Sequence, residues 1–299
     1  MSKTGDSIRT KASRKERMEK EQVVMETLFE ITESTQFKHF NEMIAVLFGP
    51  TGIGKTTFGI ELGRALAKRD TTGTYHLTTE PTNNPAAFRQ TRIQNWPTFK
   101  SFITQMEKSP EKVKTVSMWV VDTIDSLIPM CMSSVCWEWG LTDLSEEGFA
   151  RAWGELREEL VYNLLRLHAL GPGILLISHE RQVETLSRKL QLTKESLNLS
   201  PGVCDAIKFL SSVIFHMRYV DRSNNERELG HMRCLSIRGS DEEIAKDNTN
   251  KLQAVANEEG IIKFRTEKQV IGKILSCFED GEPVVKKTKK KVKKVKRSH

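Results

Sequence analysis

Apolar positions along this chain fall into short unbroken runs separated by amphipathic stretches. Residues 44–48 are apolar throughout, as in a parallel strand covered on both faces. Residues 56–68 then read as a helix and residues 74–79 as a second strand. A short helix is predicted over 99–107 and another buried strand over 117–121. Phe149, Trp153, Leu156, Leu160, Leu164 and Leu167 recur at steps of three and four, the apolar stripe of one long helix. Gly171, Pro172 and Gly173 end it, and residues 174–177 make a fourth buried strand. Residues 213–220 and 231–237 alternate in the manner of two strands, joined by a polar turn over 221–230 into a hairpin. A run at 261–264 and a helical pattern over 267–278 close the folded part. Upstream, residues 1–22 read as a charged arm, and 23–33 as a short helical piece with Val24, Leu28 and Ile31 at helical spacing. There is no internal repeat. Strands alternating with helices predict an α/β domain with a mainly parallel central sheet flanked by helices. The expected organisation is a charged N-terminal arm over 1–40, the α/β domain with a C-terminal β-hairpin extension over 41–281, and a disordered Lys-rich tail over 282–299.

Composition changes this picture only at the ends. With 38% apolar and 28% charged residues, the 299-residue chain fits a soluble globular class. Its longest apolar runs are strand-sized, which excludes a transmembrane helix. The first twenty residues lack an apolar core, which argues against a secretory signal. Five scattered cysteines argue for a reducing compartment, so the expected location is cytoplasmic. The formal charge of +7 is unevenly spread: residues 286–299 carry nine Lys/Arg and no acid, leaving 37 cations against 39 anions in residues 1–285. Basicity sits at the ends, and residues 21–285 are acidic on balance. A polyanion-contacting tail on a near-neutral body is the implied arrangement.

The candidate chemistry begins immediately after the first strand. Gly49-Pro50-Thr51-Gly52-Ile53-Gly54-Lys55-Thr56-Thr57 matches G-x-x-x-x-G-K-[ST] between a buried strand and a helix. In such a loop, glycines let backbone N–H groups curl around phosphates, and the helix N-terminus adds its positive end. Lys55 reaches the β- and γ-oxygens, and the Thr56 hydroxyl is a Mg²⁺ ligand. ATP and Mg²⁺ are therefore the expected cofactors. A metal-side acid belongs at the end of a neighbouring strand, and Asp122 closes the run Met118-Trp119-Val120-Val121; the same residue also reads as a helix N-cap. Asp125 is a helix-start acid with a weaker claim to that role. Glu80, just past the second strand and before Pro81, is the candidate general base, or else an ordinary loop acid. His179, in Ser178-His179-Glu180 at the end of the fourth strand, is the candidate γ-phosphate sensor, or a satisfied strand-end histidine. Cys131 and Cys136, separated by four residues with no second pair nearby, lack zinc spacing.

These residues resemble the RecA-like recombinase fold, and within it the phage-encoded ATP-binding proteins of single-strand annealing and recombination (RecA/RadA-like core). The resemblance spans roughly residues 43–250. It rests on the phosphate loop, the strand leading to Glu80, the segment Met118–Leu127 and the segment Leu175–Glu180. It implies a RecA-like P-loop NTPase with DNA-stimulated, Mg-dependent ATPase activity, in the host cytoplasm if phage-encoded. It also implies Glu80 as the water-activating acid, and DNA-lining loops over 129–147 and 183–204. The chain departs from the recombinase pattern in having His179 where glutamine is usual. In Ala245-Lys246-Asp247-Asn248, which resembles a lysine motif inserted into a neighbour's ATP site, Asn248 replaces the trailing arginine. No polymerisation motif precedes the core.

Single-stranded DNA is the implied partner, with a ring or filament of identical chains and a single-strand-binding or replication protein as further partners; no membrane is implied. The segment 182–202 carries Arg188, Lys189 and Lys194 against Glu184 and Glu195. Trp137 and Trp139 offer stacking platforms, where each base gains about 1–3 kcal/mol; packing onto the following helix is the plainer account of them. Nine tail cations set a salt slope of at most about −6 on a single strand; a solubilising tail or a nuclear-localisation run fits the same residues. Besides the annealing or recombination ATPase, two other classes fit the chain. One is a nucleotide-gated loader or scaffold for a replication protein, the other a helicase or packaging motor subunit.

Overall fold

The computed structural model describes residues 37–67, 73–81, 88–142, 150–187, 190–220 and 232–278. Most of the expected N-terminal arm, the helical piece 23–33, the turn 221–230 and the tail 282–299 lie outside the described residues. The elements are β1 (Ile44–Gly49), α1 (Lys55–Leu66), β2 (Thr74–Thr78), β3 (Arg89–Arg92), α2 (Trp96–Glu107), α3 (Pro110–Val113), β4 (Met118–Asp122), α4 (Ile124–Trp139) and α5 (Ala150–His168). They continue with β5 (Gly173–Ser187), β6 (Leu190–Leu197), α6 (Pro201–Leu210), β7 (Val213–Tyr219), β8 (Arg233–Ser236), β9 (Lys246–Asp247), β10 (Ile261–Phe264) and α7 (Glu267–Ser276).

The sheet runs in the order β10-β8-β7-β1-β5-β4-β2-β3, with β6 paired to β5 and β9 to β7. From β7 to β3 every neighbouring pair along this path is parallel. β8 and β10 continue the sheet antiparallel. Alternation along the central strands builds a core on each face. Ile44, Val46 and Phe48 join Trp119, Val121 and the apolar stripes of α2, α4, α5 and α6. Ala45 and Leu47 join Val120, Leu175 and the buried faces of α1 and α7. This is the α/β architecture the alternating pattern predicts.

The differences have local causes. β5 runs ten residues past its expected end at Ile177. The added stretch is polar, and it is the antiparallel ladder with β6, from Glu180 against Leu197 to Ser187 against Leu190, that makes it a strand. Residues 183–204, expected as a loop, are therefore mostly hairpin and the start of α6. β3 reads Arg-Gln-Thr-Arg and carries no apolar signal because it is the edge strand. The hairpin β7–β8 is present, but its first strand lies inside the sheet beside β1.

One buried group sets a pH dependence. His76 of β2 is fully buried, its Nε2 lies 3.2 Å from Thr74 Oγ1, and its Nδ1 has no hydrogen-bond partner among the described residues. Gly59 of α1 makes room for the ring, since a Cβ there would stand 3.1 Å from it. Burial lowers the His76 pKa from 6.5 to about 4, so the folded chain keeps it neutral while the unfolded chain protonates it. Between pH 6.5 and 4 the unfolded state binds more protons, and stability falls as pH falls. We expect a loss on the order of 3 kcal/mol across that window. His76→Leu should flatten this part of the profile in urea unfolding series; an unchanged slope would refute the assignment.

Candidate functional site

Parallel pairing aligns the carboxyl ends of four strands. Gly49 of β1 stands opposite His179 of β5, Asp122 of β4 opposite Ile177, and Thr78 of β2 opposite Asp122. The phosphate loop, His179, Asp122 and, two residues past the end of β2, Glu80 therefore gather along one edge of the sheet. In open parallel sheets that edge is where ligands bind.

The phosphate loop bridges β1 and α1. Gly52 and Gly54 take φ values of 79° and 107°, in the left-handed region, and Gly54 serves as the N-cap of α1. At Gly49 a Cβ would come within 2.2 Å of the Met217 carbonyl oxygen on β7. Only glycine lets β1 and β7 approach so closely there. The Lys55 ammonium is buried and donates to the carbonyls of Gly49 and Pro50 at 2.8 and 2.9 Å. Burial lowers its pKa, opposed by the fields of Asp122, Asp125, Glu180 and Glu80.

Thr56 Oγ1 donates to Asp122 Oδ2 at 2.7 Å, across the intervening strand β5. Burial raises the Asp122 pKa and Glu80 adds to it, while the Thr56 bond and Lys55 oppose. A hydroxyl and a buried carboxylate this close form an oxygen pair of the kind Mg²⁺ accepts alongside waters and phosphates. Glu80 is held differently. Its Oε1 accepts from Ser126 Oγ at 2.6 Å and Thr123 Oγ1 at 3.0 Å. Burial pushes its pKa up, but the two hydroxyls, then His179 and Lys55, outweigh it and leave the carboxyl below the usual range. The backbone holding both acids is tied together, because Thr79 Oγ1 accepts from the Thr123 N–H at 2.9 Å and donates to the Thr123 carbonyl at 3.0 Å.

His179 is anchored by Asp125. Asp125 Oδ2 lies 2.7 Å from His179 Nδ1 and accepts the His179 N–H at 2.6 Å; Ser178 Oγ donates to Oδ1 at 2.5 Å. An acid on Nδ1 fixes the ring and favours a proton on that nitrogen. Burial raises the Asp125 pKa, and the bonds from Ser178 and His179 only partly counter it.

The structure thus brings the phosphate loop, Asp122, Glu80 and His179 together. The sequence reading missed the residues that hold them. Ser126 and Thr123 support Glu80 only because β4 lies beside β2, and nothing in their own sequence marks them. Asp125, three residues beyond Asp122, was the one legible hint. Arg233 of β8 was missed entirely: its Nη1 donates to the Ile53 carbonyl at 2.8 Å and also pairs with Glu267, and its Nη2 donates to the Arg265 carbonyl at 3.2 Å. It ties the phosphate loop to the base of α7.

Other expected contacts disperse. Lys246 Nζ donates to the Lys208 and Ser211 carbonyls at 2.7 and 2.6 Å and so caps α6 of its own chain. Trp137 is 82% exposed, while Trp139 packs against the core with Arg151 over its ring at 5.0 Å. Residues 129–139 belong to α4, and 143–147, like Arg188 and Lys189, lie outside the described residues. Lys194 donates to the Ser240 carbonyl at 3.0 Å. Cys131 and Cys136 are buried on α4.

A family model described as an AAA domain matches residues 41–249. No curated protein matches the chain. Among the described residues, no helix is long and apolar enough to cross a membrane. The Arg233 tether gives the first test of the site's construction. Arg233→Ala leaves the part-buried Glu267 and the Ile53 carbonyl without their donor, so we expect a loss of about 1.5–3 kcal/mol in chemical unfolding. Amide exchange should quicken in the phosphate loop more than in β4. Equal exchange in both segments would show that the tether does not hold the loop.

Proposed function

Because the chain belongs to the AAA domain family, a family of P-loop ATPase-like folds, we propose that it is a Mg-dependent ATPase stimulated by single-stranded DNA, acting in annealing or recombination of single strands. The observation that carries the ATPase reading is the convergence of Lys55, Thr56, Asp122 and Glu80 at the aligned strand ends. Residues Gly49 to Thr57 would cradle the triphosphate with backbone N–H groups, and Lys55 would exchange its loop carbonyls for phosphate oxygens. Thr56 and Asp122 would hold Mg²⁺, which when bound neutralises phosphate charge. Glu80 is the general base in this reading. Its Oε1 is committed to Ser126 and Thr123, which leaves Oε2 to take a proton from the attacking water. His179, fixed through Nδ1 by Asp125, keeps Nε2 for the γ-phosphate.

The DNA part rests on three further observations. β5 runs unbroken from its buried stretch through His179 into the β5–β6 hairpin, so a shift of His179 on nucleotide binding moves the base of the hairpin. The tail carries nine cations on an otherwise acidic chain, which supplies long-range attraction to a polyanion. Exposed Trp137 offers a face on which a base can stack. A ring or filament of identical chains, and a replication or single-strand-binding protein as partner, extend the same proposal. A loader with little turnover is the competing reading, and stimulation of hydrolysis by single-stranded DNA separates the two.

Paired variants test the chemistry. Lys55→Ala should remove most nucleotide affinity, whereas Glu80→Gln should keep ATP bound and slow turnover by about 10²–10⁴-fold. Unchanged turnover in Glu80→Gln would transfer the base role to another acid. A deletion tests the division of labour: removing residues 286–299 should weaken single-stranded DNA binding and flatten its dependence on salt, while the part of the affinity that responds to a non-hydrolysable ATP analogue survives. Affinity and slope both intact would show that the tail only solubilises. Loss of the nucleotide effect would show that the hairpin is not the switch.

A further inference from the structure

Behind the phosphate loop, on the far side of His179, lies a second cluster that the ATPase chemistry does not use. His216 of β7 is fully buried, and its ring stacks on Phe48 with centroids 4.5 Å apart and planes within 10°. The stack fixes where its two nitrogens point. Nδ1 lies 2.7 Å from Glu243 Oε2. Nε2 faces two carboxylates, with Glu180 Oε2 at 3.2 Å and Glu195 Oε2 at 3.5 Å. One ligand atom from each of Glu180, Glu195 and His216 lies within 4.8 Å of the others. Three strands contribute these groups, β5, β6 and β7. The backbone locks Glu195 to the Glu243 segment, since the Glu195 N–H donates to the Glu242 carbonyl at 2.7 Å and the Ile244 N–H to the Glu195 carbonyl at 3.2 Å. The cluster opens on a cavity of about 620 Å³ whose wall includes Pro50 of the phosphate loop.

We propose that Glu180, Glu195 and His216 bind a divalent transition-metal ion of the Zn²⁺ class, with Glu243 orienting the histidine and a fourth position open to the cavity.

The argument is one of protons and distances. A neutral imidazole has one N–H, and the short contact at Nδ1 claims it for Glu243. Nε2, within hydrogen-bond range of Glu180, and the two carboxylate oxygens it faces then form a set of three donor atoms that a cation between them would satisfy. For ligand bonds of about 2.0–2.1 Å, the edge of a tetrahedron is about 3.4 Å. The two Nε2-to-oxygen distances of 3.2 and 3.5 Å bracket that value, and both exceed the 2.7 Å of the hydrogen bond at Nδ1. A carboxylate on the far nitrogen of a metal-bound histidine is the usual support for such a ligand. The imidazole selects against Mg²⁺ and Ca²⁺, which favour all-oxygen shells. Arg218, whose Nε stands 3.5 Å from Glu243 Oε2, balances one of the acids. A bound ion would clamp the β5–β6 hairpin to β7 and to the segment around Glu243.

The test uses the full-length chain, stripped with EDTA and kept in excess Mg²⁺ so that the Thr56–Asp122 oxygen pair is occupied. Zn²⁺ should bind at one ion per chain by elemental analysis and raise the melting temperature. Co²⁺ should give the intense visible absorption of a four-coordinate site. Glu195→Gln, at a part-exposed position that tolerates the amide, should abolish that band while nucleotide binding reports an intact fold. Glu243→Gln should keep the band and weaken affinity by about 10–100-fold. No stoichiometric uptake by the wild type would overturn the proposal and leave the cluster as a hydrogen-bond network around His216. So would a band that survives Glu195→Gln, because the ion would then sit elsewhere.

Discussion

Six ladder positions tie β1 to β5, from Ile44 against Ile174 to Gly49 against His179, and the site exists only while that alignment holds. β5 in turn carries β4, and β4 carries β2, each in parallel register. A slip of one residue in any of these ladders turns every side chain to the opposite face. It would also take Asp122 out of reach of Thr56, which it meets across an intervening strand. Two apolar cores, one on each face, penalise such slips along the whole sheet. The precision of the polar edge is thus enforced by hydrophobic packing several residues away.

At that edge, charge is held by different means at each position. Lys55 and Asp122 are buried enough that desolvation moves each pKa toward the neutral form, and each is countered by a close partner. Glu80 is pulled the other way by two hydroxyls. The result is two neighbouring acids with opposite perturbations: burial raises Asp122, while hydrogen bonds from Ser126 and Thr123 lower Glu80. Thr123, Asp125 and Ser126 are one short segment, and between them they position Glu80 and His179.

β5 has a double role because adjacent residues of a strand face opposite ways. His179 meets Asp125 on α4, and Glu180 meets the buried His216 of β7. Two clusters of charge are therefore set by neighbouring residues of one strand, with the phosphate loop touching both.

The sequence by itself determined the parallel α/β core, the phosphate loop and the two acids, because each leaves a local mark. Fully buried strands are apolar at every position, and a phosphate loop needs its glycines at fixed offsets. It also marked His179, through its place after an apolar run. It did not determine β3 or the extension of β5, since edge and hairpin strands are polar and are made strands by their partners. Nor could it show that Lys246 caps a helix of its own chain, that Ser126 holds Glu80, or that Arg233 braces a loop 180 residues earlier in the chain. Those contacts join segments distant in sequence, and their geometry follows from strand order, which no local pattern encodes. The meeting of Glu180, Glu195, His216 and Glu243 is the same kind of fact: four ordinary residues on separate segments, made into one cluster by the sheet.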